Sequence, residues 1–436
     1  MPHSSVGQSF GRIIPGLLLF FIIACSFPPV SIGAPPDGID PFADLEPPAT
    51  SPTADPSQEP WWAQNTQFRR ELFLQTVARD VTYQPKRTAD TSSEISNRHS
   101  IGFEWLRRFQ SETSTIGSCD LQARLVRRDG YVPIISDREG EDRIPWAVEY
   151  HNAYCDLYNP ASFLVGAEQA SSLIGVANLR IGRFYLPLGL NLATDTHGTV
   201  LQLSNDQNIG FERDWYAGFW GNLTEFASYD LYYLFGSGYD FRFAGQSGLL
   251  GVRVGTSTSI KNRYGLEAGV GALVGERLAS PHQAAIFDGS DIIRTMRVGP
   301  DLRYIVPTER GSFTLTNELS VGSDNNRSTV MQLHQFGYLT NNRQLGANLQ
   351  LRQQWLDQGT PSTSGGHHHH PPTGALVNTS PLGGISRSII YDIAWYFTND
   401  IANANLHWMD LSVEQIISSP SRGSGSIVSL QYYRYW

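Results

Sequence analysis

Apolar and polar residues alternate with a period of two over most of the chain beyond residue 99. Leu250, Val252 and Val254 alternate with Gly251, Arg253 and Gly255. Tyr264, Leu266, Ala268, Val270, Ala272 and Val274 alternate with Gly265, Glu267, Gly269 and Gly271. Met296, Val298, Leu302 and Tyr304 oppose Arg297, Gly299, Asp301 and Arg303, and Phe313, Leu315, Leu319 and Val321 oppose Thr314, Thr316, Glu318 and Ser320. Ala347, Leu349, Leu351 and Trp355 oppose Asn348, Gln350, Arg352 and Gln354, and Ile389, Tyr391, Ile393, Trp395 and Phe397 form an apolar row with Asp392 opposite. Successive side chains on a strand point to opposite faces, so each segment predicts an amphipathic strand, with turn residues between segments. Such segments number roughly 14–16, several at the ~9–11 residues that a tilted membrane strand needs. The last one sets Val428, Leu430, Tyr432, Arg434 and Trp436 against Ile427, Ser429, Gln431, Tyr433 and Tyr435.

The fold class this predicts is all-β, a transmembrane antiparallel β-barrel. A soluble sandwich also alternates, but here the polar rows carry charges and glycines across many segments, as a wet interior would. Aromatics gather near predicted strand ends, at Tyr396-Phe397, Tyr432-Tyr433 and Trp215-Tyr216, where an interfacial girdle is expected. Compact turns at 323–327 and 340–343 and long polar stretches at 186–208, 276–291 and 357–383 fit a barrel with short turns at one end and long loops at the other. On the last strand, Arg434 shares the apolar row. A charge there is cheap only near the headgroups, so Trp436 is expected at the periplasmic rim.

The earlier chain divides by composition. Arg12 flanks an uninterrupted apolar run over 17–25, and Ser31-Ile32-Gly33 supplies small residues before Ala34, so 1–33 is expected to be a secretory signal peptide. Ile22-Ile23-Ala24-Cys25 resembles a bacterial lipoprotein cleavage box, which leaves lipidation of Cys25 as the alternative. Residues 34–60 form a Pro-rich periplasmic linker with little to bury. Residues 61–98 are expected to be a periplasmic or plug segment, with Phe68, Leu72, Phe73, Leu74 and Val77 suggesting a short helix. The barrel is assigned to 99–436.

The 436 residues suffice for one large barrel or two to three ordinary domains. A net charge of −9 excludes a sequence-independent grip on nucleic acid. Lysine occurs only as Lys86 and Lys261, so positive charge is almost all arginine, whose planar guanidinium offers a fixed fork of donors. Cys119 and Cys155 each sit in a predicted strand before Asp-Leu. They are a disulfide candidate if the chain is exported, or else two isolated thiols.

Residues 178–190, Asn-Leu-Arg-Ile-Gly-Arg-Phe-Tyr-Leu-Pro-Leu-Gly-Leu, resemble the Gly-(Arg/Lys)-Phe-x-x-Pro-Phe-Gly-Leu segment of porin-like outer-membrane barrels, including the phosphate-selective porin type. Leu188 replaces the usual Phe. The preceding Glu149…Ala153-Tyr154…Asp156 is similar to the strand before that segment. The resemblance implies a pore-forming barrel in which this stretch ends a strand and enters a loop. The lysines of the phosphate-selective type are missing, so it carries over no solute. Physically, Gly182 permits close backbone approach, and Pro187 and Gly189 end the ladder.

The pore-lining candidates are Arg180, Arg253, Glu267, Arg297, Asp301, Arg303, Glu318, Arg352 and Asp392. Opposing charges could set a field across a channel, or pair and simply hydrate the wall. If the loop after the motif folds inward, Asp195, His197 and Asp206 form the constriction. His367, His368, His369 and His370 lie in a Gly/Ser/Thr/Pro stretch and offer weak metal affinity at most. No haem-binding, zinc-hydrolase, nucleophile-elbow or Walker motif is present. The expected function is a non-enzymatic outer-membrane porin for small hydrophilic solutes, with no cofactor, outer-membrane lipid as its surroundings and a homotrimer as one possible assembly. The alternatives are a barrel sheathing a partner such as a multihaem cytochrome, and an outer-membrane hydrolase recruiting His282, His334 or His407.

Overall fold

The computed structural model describes residues 65–79, 95–110, 115–129, 146–161, 175–190, 205, 208–238, 247–278, 292–357, 384–400, 405–418 and 425–436. They form a closed antiparallel barrel of 16 strands and one short helix. The strands are β1 (Thr66–Arg79), β2 (Ile95–Gln110), β3 (Thr115–Asp129), β4 (Trp146–Leu157), β5 (Asn178–Tyr185), β6 (Arg213–Asn222), β7 (Ala227–Leu234) and β8 (Gly248–Thr256). After helix α1 (Thr258–Tyr264) come β9 (Leu266–Leu278), β10 (Ile292–Thr308), β11 (Gly311–Asp324), β12 (Arg327–Thr340), β13 (Leu345–Leu356), β14 (Gly384–Asp400), β15 (Asn405–Ser418) and β16 (Gly425–Tyr435). Each strand pairs with its neighbours in sequence, and β1 pairs with β16 to close the ring. Closure leaves no unpaired edge, which is what a sheet needs to stand in lipid.

The alternation sorts residues as the sequence predicts. The outward rows are apolar and exposed, with Leu250 at 55%, Val270 at 52% and Phe336 at 51%. The inward rows hold nearly all the buried charge. An apolar outer surface this extensive belongs against a bilayer rather than water.

Connections alternate between the two ends of the barrel. One end carries the short connections 111–114, 223–226, 309–310, 341–344 and 401–404, together with 158–177 and 257–265. The other carries the longer 80–94, 130–145, 186–212, 235–247, 279–291 and 357–383, together with the short 325–326 and 419–424. The two compact turns singled out from sequence therefore lie at opposite ends, because they flank the same strand, β12. Trp436 sits at the short-turn end, where its backbone exchanges hydrogen bonds with Arg70 at 2.7 and 3.0 Å. Arg434 faces outward there, its guanidinium 5.0 Å from the Trp436 ring.

Three expectations change. The stretch expected to be a helix within 61–98 is strand β1 from Thr66, and β2 opens at Ile95, so the wall begins before 99. Its alternation is hard to see because inward Phe73 and Val77 are as apolar as outward Leu72 and Leu74. Tyr264 and Gly265 precede β9 rather than belonging to it. The side chain of Ser257 caps α1, and Gly265, at φ +63°, ends it. Finally, each terminal aromatic pair is split by the pleat. Trp215, Phe397 and Tyr432 face out, whereas Tyr216, Tyr396 and Tyr433 join buried clusters inside. Residues 1–60 lie outside the described residues.

Candidate pore and constriction

All the pore-lining candidates occupy inward rows, and their surroundings follow a rule. An arginine on one strand reaches over a small residue on the next strand to a carboxylate two strands away. On β8, Arg253 donates to Asp301 of β10 at 2.6 and 3.0 Å. Between them lies Gly269, where a Cβ would come within 2.7 Å of the guanidinium. On β3, Arg124 donates to Glu71 of β1 at 2.6 Å across Gly102, whose Cβ would lie 2.8 Å from the arginine stem. Arg277 reaches Asp324 at 3.3 Å across Thr295, which itself bonds both. Arg352 reaches Glu414 across Ser388. A concave wall favours this bridging, because inward side chains converge while the backbones diverge.

Other candidates pair with nearer neighbours. Arg180 and Asp156 form a bidentate pair at 2.7 and 2.8 Å, with the guanidinium 3.8 Å from the Phe184 ring. Arg303 donates to Glu267 at 3.1 Å, and Lys261 approaches the same carboxylate at 3.6 Å. Arg297 donates to Asp324 at 2.7 Å. Asp392 accepts from Asn348 at 2.9 Å.

The connection after β5 turns into the barrel. Gly182 lets β5 approach β4 so closely that a Cβ would lie 2.2 Å from the Ala153 carbonyl, and its φ is +130°. Beyond Tyr185, residues Leu186 and Leu188 are buried with Ile209, Tyr216, Tyr232 and Leu273. Leu188 fills the space over Gly271 of β9. Arg297 holds the returning side of the connection, donating to the Asn208 side chain and carbonyl at 2.8 Å each. Glu318 lines a small cavity with Leu188, Asn205 and Asn208. Both flanks of this connection thus lie against the inner wall. Asp195, His197 and Asp206 fall outside the described residues.

This barrel resembles solved structures at low sequence identity. It matches OmpF of Salmonella typhi with a TM-score of 0.50 at 11% identity, covering 85% of this chain and 97% of that one. It matches OprB of Pseudomonas putida with a TM-score of 0.55 at 11% identity, covering 85% and 94%. The fold is that of the outer-membrane porins. No protein-family model matches the sequence, and no curated protein matches it.

On this porin fold, Cys119 and Cys155 lie opposite one another on β3 and β4, joined by a disulfide with Cα atoms 4.0 Å apart. The bridge sits on outward rows. His334 faces outward and hydrogen-bonds Asn317 at 2.8 Å, and His407 faces outward beside Phe397. Among the described residues no group of three His, Cys, Asp or Glu side chains is placed to hold a metal. The 367–370 histidines and His282 lie outside the described residues.

Sequence reasoning missed the partners. Glu71, Arg124, Asp156, Asp324, Glu414 and Asp410 all face inward. For Asp410 and Glu414 the signal was available, since Asp410, Ser412 and Glu414 share one parity. It was hidden because inward Trp408 and Ile416 make both faces of β15 look apolar.

Proposed function

We propose that this chain is an outer-membrane porin through which small hydrophilic solutes diffuse passively. The observation that carries the reading is the division of the closed barrel into apolar outward rows and charged inward rows, with the flanks of the β5–β6 connection lying inside. The arginines and carboxylates would hydrate the wall and set the pore's width through their bridges, and the connection would narrow it. Because most arginines are matched by a carboxylate, selectivity would depend on the acids left over rather than on total charge. The Asn317–His334 pair interrupts an apolar row midway along β11 and β12. A neighbouring copy would cover it at lower cost than lipid, which supports a homotrimer as the assembly.

Liposomes loaded with the refolded protein test the reading. Swelling in uncharged sugars should be fast for monosaccharides and fall steeply with size. Liposomes no more permeable than protein-free ones would contradict it.

A further inference from the structure

The inner wall of β14–β16 differs from the rest. Three inward rows stack there along the barrel. The row toward the short-turn end is aromatic, with Tyr396, Trp408, Tyr433 and Phe73 in register across β14, β15, β16 and β1. Trp408 and Tyr433 lie 4.4 Å apart between ring centroids, and Tyr396 and Trp408 lie 5.9 Å apart. The next row is Ala394, Asp410, Gln431 and Gln75. The third begins with Asp392, paired with Ser412. Asp392 and Asp410 are therefore diagonal neighbours on one face, a separation of about 7–8 Å between backbones. Ala394, the residue paired with Asp410, is small and places no long side chain between them.

These side chains are buried, with Asp392 at 5%, Asp410 at 2% and Gln431 at 2% exposure. Oδ1 of Asp392, Oδ1 of Asp410 and Oε1 of Gln431 have no hydrogen-bond partner among the described residues. Neither aspartate has an ion-pair partner there either. The nearest bridging arginine, Arg352, is engaged by Glu414 one row further on. Unmatched buried acceptors are costly and call for a donor.

We infer that Asp392, Asp410 and Gln431, above the Trp408–Tyr433 aromatic pair, form a binding site for the primary ammonium group of an organic solute crossing the barrel. An ammonium carries three N–H donors, which the unpartnered oxygens of Asp392, Asp410 and Gln431 can accept. The adjoining ring faces attract a cation and accept its hydrocarbon stem. A calcium ion takes six to eight oxygens and magnesium a near-octahedral shell, so two carboxylates and an amide backed by aromatic rings suit either poorly. Anionic solutes would be repelled. The inference rests on the proposed passage of solutes through the interior and names one class among them.

Putrescine is the probe, with 1,4-butanediol as its uncharged counterpart and Mg²⁺ as the metal arm. Calorimetry on the full chain refolded in detergent reads binding whether or not the barrel conducts, and bilayer currents read occupancy during passage. Putrescine should bind and interrupt the current reversibly, and butanediol should do neither. Asp410→Asn should weaken putrescine at least tenfold, Asp392→Asn combined with it should abolish binding, and Trp408→Leu should weaken it severalfold. Heat-dependent gel migration of each variant verifies that the barrel has folded. Unchanged putrescine affinity in the double variant would overturn the site, as would Mg²⁺ binding of equal strength lost in the same variants. Putrescine binding that depends on both aspartates in a barrel that passes no current would uphold the site and refute the porin reading.

Discussion

The β8–β10 wall and the β14–β16 wall both bury carboxylates on the inner face and treat them in opposite ways. In the first, Gly269 on the middle strand clears a path, and Arg253 crosses it to saturate Asp301. In the second, no arginine stands two strands from Asp410 at the same height, and the acids keep free oxygens beside an aromatic row. The inward rows of β8–β10 hold Arg253, Arg277, Arg297 and Arg303 with Glu267 and Asp301, whereas those of β14–β16 hold Asp392, Asp410 and Glu414 and no arginine. What separates them is whether an arginine shares the inner face, with a small residue on the intervening strand and a register that lets it reach the acid. Pairing turns a charge into wall, and the lack of it leaves a charge available to a solute.

Removing an arginine from a paired region should do the most damage. Arg253→Met strands the buried Asp301, and breaking a buried ion pair of this kind costs about 3–5 kcal/mol. The urea midpoint for unfolding from detergent micelles, followed by tryptophan fluorescence, should fall accordingly, and a wild-type midpoint would break the comparison. Gly269→Leu ranks next. It fills the path of Arg253 and leaves Asp301 short of its hydrogen bonds, a loss of about 1–3 kcal/mol. In the same assay Gly269→Ala should fall between that variant and wild type. By contrast, Asp410→Asn removes no partner, so stability should stay within about 1 kcal/mol of wild type or rise. A loss as large as that of Arg253→Met would mean that Asp410 is paired after all. Smallest of all is Arg434→Ala at the outer rim, where charge on the lipid face matters by about 0–1 kcal/mol.

Most of the fold was legible because a period of two survives wherever one row is apolar and the other polar, as in β8, β11 and β13. It failed at β1 and β15, where the inward row is itself apolar at Phe73, Val77, Trp408 and Ile416. The candidate charges were found, since parity alone assigns Arg253 or Asp301 to the interior. Their partners were not, because a bridge over Gly102 or Gly269 depends on the register of three strands, and those registers are set by closure of the whole ring. The disulfide illustrates the same limit. Cys119 and Cys155 are plain strand residues until β3 and β4 pair and place them opposite each other.

The central claim is that the charged inner rows enclose a continuous aqueous path. Current through single barrels in planar bilayers, recorded under a potassium chloride gradient, tests it most directly. Discrete, ohmic steps should appear, with a reversal potential showing mild preference for potassium that shrinks in Asp392→Asn/Asp410→Asn. Barrels that insert and run as heat-modifiable species on gels, yet pass no current, would contradict the account.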